Sequence, residues 1–457
     1  MNNEERVTML REAPIPQLLL KMGLPTMIGM LVTGIYSLVD AYFVGGLGTS
    51  QMGAVSITFP LGQAIVGLAV LFGGGAASYL SRLLGANERK QANQVASTAL
   101  YSSLFVAALA IALIVIFIKP ILYGLGATDT IYPYAYEYGM IYVISSIFNI
   151  FNVTMNNIAS SEGAAKVSMT AMILGAALNV IFDPICIYWL NMGIAGAAIA
   201  TAAAQAITTA MYLVYILKKR SVFSFSPKDF HFDKVTYKEI FKVGIPTLAF
   251  QLATSIAMGF TNTAAKEYGD AAIAAMGIVS RIITMGMYAV SGFAKGFMPV
   301  AGYNFGAKQF QRVQDATKTA LKWTSAFCVI FTAVMLVFAP AVVGLFTTDD
   351  QQVIEIGAFA LRANSIVFVG MGIDAIYSML SLALGKATGG WLLSVGRQGI
   401  FFIPVILLLP HFIGINGVIF AQPIADILTL ICMIILATRI NKEITEQKKA
   451  AAIATAR

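Results

Sequence analysis

Four aspartates, Asp40, Asp183, Asp374 and Asp426, stand inside long apolar runs of this chain. An ionisable side chain is costly in such surroundings, so its presence there points to function. Asn179 precedes Asp183 by four residues and shares its helical face. Counted at about 1.5 Å per residue from the outer helix ends, Asp40 lies roughly 6 Å in, Asp183 roughly 9 Å and Thr201 about 10 Å. Equal depth predicts one cluster of oxygen ligands from Asp40, Asn179, Asp183 and Thr201. Two carboxylates crowded into a poorly solvating interior suit H+ or a hard cation such as Na+, either of which neutralises them. The competing reading is structural: Asp183 precedes Pro184, which frees a carbonyl, and Asp40 could bond its own backbone.

The second half carries different groups. Arg281, Arg362 and Asp426 fall about 14 to 16 Å from the outer ends of their helices, with Asp374, Lys295 and Arg397 nearer the other side. These five charges besides Asp374 predict an internal ion-paired network; the functional alternative is a cationic wall for anionic substrates. No other constellation carries chemistry. His231 and His411 sit too far apart in the pattern for a triad or a zinc site. Gly73, Gly74 and Gly75 lack the Lys-Ser or Lys-Thr step of a phosphate loop, which leaves close helix packing. Cys186, Cys328 and Cys432 stand singly in apolar runs and read as buried thiols. No cofactor is expected.

Only one kind of scaffold fits the composition. Of the 457 residues, 58% are hydrophobic and 11% charged, against roughly 45–50% and 25% in a soluble domain. A water-soluble enzyme is thereby excluded. Glycines scattered through the apolar runs, without ten-residue alternation, argue for helices over a β-barrel. Apolar stretches near 15–44, 53–80, 93–118, 133–158, 167–189, 194–217, 240–265, 271–300, 314–338, 353–382, 391–410 and 416–438 predict an all-α membrane protein with twelve transmembrane helices. The polar segment 218–239 divides lobes 1–217 and 240–438, and 439–457 reads as a cytoplasmic helix or frayed tail. The first apolar run is too long for a cleaved signal.

Of the 30 lysines and arginines, 25 fall at the termini, in the loops after even-numbered stretches and on their flanks. Both termini are therefore predicted to be cytoplasmic, in the inner or plasma membrane. The net charge of +8 is that topology signal and implies no nucleic acid. No Walker motif implies a nucleotide.

The chain also repeats itself. At an offset of 221, residues 21–100 match 242–321 at 17 of 80 positions, with K-M-G-L-P-T at 21–26 returning as K-V-G-I-P-T at 242–247. At 220 the match resumes, with Thr128 and Asp129 against Thr348 and Asp349. Six helices per unit is an even number, so the two six-helix bundles share one orientation and are related by an axis along the membrane normal. The acids are not repeated: Thr261 stands for Asp40 and Ile403 for Asp183.

The duplicated K-x-G-(L/I)-P-T, Val39-Asp40, the L-N-V-I-F-D-P of 178–184 and the G-I-x-G pairs at 193–196 and 414–417 resemble the multidrug and toxic compound extrusion (MATE) family over essentially the whole chain. Among its prokaryotic branches the DNA-damage-inducible group is the most similar. The resemblance implies cation or proton ligands at Asp40 and Asp183, neutral ligands at Asn179 and Thr201, and nearby cavity-lining groups at Tyr138 and Asn156. Asp374 resembles a second-lobe acid of the sodium-coupled branch. That branch's glutamate on helix 7 is missing, with Gln251 the comparable polar residue.

Together these expectations describe a secondary antiporter, probed by drugs and dyes, that works as a monomer in the lipid bilayer and exchanges H+ or Na+ for amphipathic compounds by alternating access. A flippase of lipid-linked oligosaccharides, from the same superfamily, is the alternative.

Overall fold

The computed structural model describes residues 3–346 and 351–455, so Thr348 and Asp349 of the repeat lie outside the described residues. The described elements are helical. A short α1 (Asn3–Glu12) precedes α2 (Ile15–Gly45), α3 (Thr49–Gly85), α4 (Arg89–Ile116), α5 (Ile118–Gly124), α6 (Tyr132–Ser161), α7 (Ala165–Pro184) and α8 (Gly193–Leu217). After the linker come α9 (Lys234–Lys266), α10 (Asp270–Gly306), α11 (Phe310–Gly344), α12 (Gln351–Phe368), α13 (Met371–Ala383), α14 (Thr388–Trp391), α15 (Phe402–Ile413) and α16 (Ile415–Thr455). Eleven helical stretches are long and apolar enough to cross a membrane, and α12 with α13, bent by 48°, makes a twelfth if taken as one span.

Two short π-helical segments interrupt this regularity, at Ile185–Trp189 after α7 and at Leu392–Ile400 before α15. Such segments concentrate at functional sites. The repeat is visible in the turns. Positive φ recurs in pairs at Gly48 and Gly269 (125° and 89°), Asn87 and Lys308 (62° and 58°) and Gly193 and Gly414 (55° and 62°), each pair 221 residues apart.

The chain forms two compact units, but not at the linker. The first holds residues 1–12 and 28–248, the second 13–27 and 249–457. The cuts inside α2 and α9 are again 221 residues apart, and each follows the repeated K-x-G-(L/I)-P-T. Each helix therefore begins in one unit and ends in the other. The expected boundaries at 217 and 240 miss this exchange, because hydropathy marks where a helix starts and says nothing about which neighbours it packs on.

Glycines make the exchange possible by letting backbones meet. In the first unit, a Cβ on Gly244 would stand 2.0 Å from the Leu71 carbonyl oxygen, and one on Gly75 would stand 2.2 Å from that of Ile240. In the second unit, a Cβ on Gly296 would stand 2.4 Å from the Met22 carbonyl oxygen, and one on Gly292 would stand 2.6 Å from the Met27 Cα. Gly73 meets the Thr154 backbone in the same way, so the glycine triplet serves packing. Within the entry segments, Pro25 and Pro246 lack an N–H, and the threonine after each turns its hydroxyl back onto carbonyls of its own helix. The Thr26 hydroxyl donates to Met22 and Gly23, and that of Thr247 donates to Gly244 at 2.7 Å.

The polar segments fold back onto these bundles. The linker lies along α4, where Ser97, Thr98 and Tyr101 donate to the carbonyls of Ser224, His231 and Phe225. At the end of the chain α16 runs unbroken past residue 438, because Ile440 and Ile444 are buried and Asn441 donates to the Tyr377 hydroxyl at 2.6 Å.

Gly244→Val should drive a side chain into the Leu71 backbone and lower stability by roughly 1–3 kcal/mol. Gly124→Ala, where a Cβ meets nothing within 4 Å, should leave the thermal unfolding midpoint in detergent almost unchanged. Equal midpoints for the two variants would contradict the packing described.

Candidate functional site

The first unit brings Asp40, Asn179, Asp183 and Thr201 together. Asp183 and Asn179 sit on one face of α7 and are buried, at 0% and 2% exposure. Thr201 on α8 accepts a 3.0 Å hydrogen bond from the Asn179 amide. The approach of α7 and α8 is set by Gly196, whose Cβ would stand 2.6 Å from the Cys186 carbonyl oxygen. Gly193 in the turn takes a left-handed φ of 55°, which explains the G-I-A-G motif. Asp40 reaches the site from α2. Its helix end is tied to the π-helical segment after Asp183 by the Tyr188 hydroxyl, which donates to the Phe43 carbonyl at 2.6 Å.

The Asp40 and Asp183 carboxyls lie within hydrogen-bonding reach of each other. Neither Asp183 oxygen receives a donor from any described residue, and neither does the buried Asn179 Oδ1. A buried acceptor left without a donor carries a desolvation penalty of about 1–3 kcal/mol. The one partner within reach of Asp183 is another carboxyl, which donates only when it carries a proton. An all-oxygen set of two carboxylates, an amide and a hydroxyl also matches what a hard cation takes as ligands. Local capping does not account for Asp183, since its oxygens cap nothing.

Tyr138 joins this group. Its ring is buried and stacks on Tyr142 at 5.7 Å, with its hydroxyl in electrostatic range of Asp40, Asp183 and Tyr36. Asn156 does not join it. It lies 18 residues further along α6, about 27 Å away along the axis, and donates to the Ser168 carbonyl and the Tyr212 hydroxyl, each at 3.3 Å. Sequence similarity alone cannot separate two polar residues on one face of a helix by depth.

Gln251 is half-buried on α9 in the second unit. The second-half charges do not form the expected five-membered network. Arg397 makes a bidentate pair with Asp426, at 2.7 and 3.2 Å. Gln422 adds a 2.7 Å bond to the same carboxylate. Asp374 is buried beside this pair, in electrostatic range of both partners, and neither of its oxygens receives a donor. Arg362 is exposed and donates to the Leu336 carbonyl at 3.1 Å. That carbonyl is the one freed by Pro340 four residues later, since proline has no N–H to offer it. Arg281 is exposed and pairs with no described acid. Lys295 lies on the same helix, fourteen residues further on. A spacing argument located these charges in depth but not in angle around their helices.

A further cluster escaped sequence reasoning. At the α1 end of the first unit Glu162 is fully buried and accepts from Tyr215, from Ser221 at 2.7 Å and from the Val222 N–H at 2.6 Å. Arg6 of α1 stands 3.6 Å from the same carboxylate. Burial pushes the Glu162 carboxyl up from its ordinary range, and the surrounding donors oppose that push. The signal available was weak: one acid following Ser161 in a predicted turn.

A duplicated all-helical bundle crossing the membrane, with its buried acids confined to side-chain clusters between helices, is the build of a multi-pass membrane transporter rather than an enzyme. The MatE family model matches residues 25–185 and again 246–408, and the chain belongs to the multidrug and toxic compound extrusion family. It is 30% identical to the multidrug export protein MepA of Staphylococcus aureus over 97% of this chain and 98% of that one, and 29% identical to MepA of Staphylococcus haemolyticus with the same coverage. Among solved structures, an outward-facing multidrug resistance MATE family transporter of the MOP superfamily superposes with a TM-score of 0.91 at 28% identity, covering 97% of this chain and 98% of that one. A MOP superfamily transporter from Pyrococcus furiosus, described as having reverse polarity of its binding pocket, gives 0.89 at 28% identity over the same shares.

Glu162→Ala should strand Arg6 and three donors, lowering stability by about 3–5 kcal/mol. Glu162→Gln, which keeps an acceptor oxygen, should cost less. Denaturation midpoints of the purified protein check both, and an Ala variant as stable as the parent would remove the cluster's structural role.

Proposed function

We propose that this transporter is a secondary multidrug exporter that takes H+ or Na+ at Asp40, Asp183, Asn179 and Thr201 in exchange for amphipathic, cationic or aromatic compounds. The observation that carries this reading is a pair of carboxyls within reach of each other, in which both buried Asp183 oxygens lack a donor among the described residues. Such a pair is incomplete without a positive guest. Relatives named for multidrug export supply the substrate class. The two-aspartate site in the first unit also supports placing the chain with the DNA-damage-inducible branch.

Coupling follows from linkage. If the ion favours one arrangement of the first unit and the organic compound another, each binding event lowers affinity for the other, and the ion gradient moves the compound outward. A positive charge crossing inward gains about 2.3 kcal/mol per 100 mV, enough to sustain an uphill gradient without nucleotide. Lysine and arginine placement supports cytoplasmic termini in the cell membrane, and a single chain holds every residue of the ion site, which supports function as a monomer.

Asp40→Asn or Asp183→Asn should abolish gradient-driven efflux of an ethidium-like dye while preserving the fold. Thr201→Val should weaken ion coupling more than dye binding. Proteoliposomes under separately imposed proton and sodium gradients give the measurement, and full efflux in both Asn variants would end the proposal.

A further inference from the structure

Arg281 is left unexplained by the fold and by the ion site. It lies about 16 Å along α10 from the outer start of that helix. It is exposed and makes no hydrogen bond or ion pair with any described residue. Arg362, at a similar distance along α12, is spent on the carbonyl freed by Pro340, whereas Arg281 has no such duty.

The helix face around it is not a lipid face. Among its described side chains, α10 exposes Ala274, Ser280, Arg281 and Thr284, with no large apolar side chain among them. The neighbouring α11 of the same unit exposes Phe327, Ile330, Val334, Val337 and Phe338, as a helix against lipid does. A guanidinium within a membrane span fronts water or a ligand rather than hydrocarbon. One turn before Arg281, Gly277 has open space where a Cβ would be. The exposed stripe is thus small, hydroxylated and cationic, beside open room.

We propose that Arg281, with the hydroxyls of Ser280 and Thr284, is a specificity-determining subsite for an oxyanion group on the transported compound, of which a carboxylate is the simplest case. The planar fork of arginine matches a carboxylate with two parallel bonds, and the flanking hydroxyls can donate to the remaining lone pairs. The inference rests on the export reading and deepens it by naming the side chains that would hold the anionic end of such a substrate. In the repeat the matching positions 59 and 60 are Phe59 and Pro60, so the subsite belongs to the second unit alone. A phospholipid phosphate offers the same chemistry, and the experiment separates the two sources.

The full-length protein in phosphatidylcholine nanodiscs is titrated with a fluorescent quinolone bearing a free carboxylate and with its methyl ester. The parent should bind the acid about tenfold more tightly than the ester, the gain expected of one charge-assisted bidentate pair. Arg281→Gln should bring that ratio close to one, and Arg281→Lys should retain part of it. An unchanged ratio in the Gln variant, or equal weakening of acid and ester, overturns the proposal. Nanodiscs containing phosphatidylglycerol form the second arm: if the anionic lipid abolishes the acid preference of the parent, and the Gln variant loses its retention of that lipid, the guanidinium serves a headgroup and the proposal also falls. Thermal unfolding of each variant guards against misfolding. Ethidium efflux by the unaltered protein tests the export reading separately, because the acid-to-ester ratio is measured by binding alone.

Discussion

Two carboxyl groups brought within reach of each other, one of them fully buried, are the constraint around which the first unit is arranged. Each carboxyl would be far better hydrated alone, and neither Asp183 oxygen is compensated by a donor from any described residue. The surrounding features all act to keep this arrangement in place. Gly196 lets α7 and α8 close up, the Tyr188 hydroxyl ties down the end of α2, and Tyr138 and Tyr142 stack into a stiff wall beside the acids. A scaffold that holds such a pair together stores unfavourable electrostatics that a small positive guest relieves, which is the physical basis for reading the site as one of exchange.

The second unit solves the problem of buried charge differently. Arg397 and Asp426 neutralise each other with near-ideal fork geometry, and Gln422 completes the carboxylate's shell. Breaking such a pair by deleting one partner is expensive, while the intact pair contributes little net stability. Asp374 sits beside it without a donor of its own, so the duplicated scaffold carries a charge-balanced cluster with one surplus acid in one half and an all-acid cluster in the other. Duplication supplied the helices and turns; divergence of a few side chains supplied the division of labour.

Much of this was legible in the residues. Apolar run lengths gave the spans, and the lengths of the polar breaks gave their order. The spacing of Asn179 and Asp183, with matched depths for Asp40 and Thr201, placed these four side chains in one cluster because depth along a helix is a linear function of residue number. Angle and partner were not legible. The grouping of Asn156 with Tyr138 came from resemblance to the family and not from spacing, which already puts the two about 27 Å apart along α6. Arg362 looked like a member of an ion-paired network and instead answers a carbonyl orphaned by Pro340 on another helix. Glu162 depends on contacts from α1, α8 and the linker, segments whose convergence no local pattern encodes.

The traded entry segments carry a consequence for how the molecule comes into being. The core of the amino-terminal unit stays unfinished until residues 234–248 have left the ribosome, long after its own six spans are inserted. Residues 13–27, among the first to be synthesised, must wait until α10, with Gly292 and Gly296, has been made before their lasting neighbours exist. Neither half is a self-sufficient folding module, and a chain interrupted at the linker would leave one piece missing a strut that the other carries.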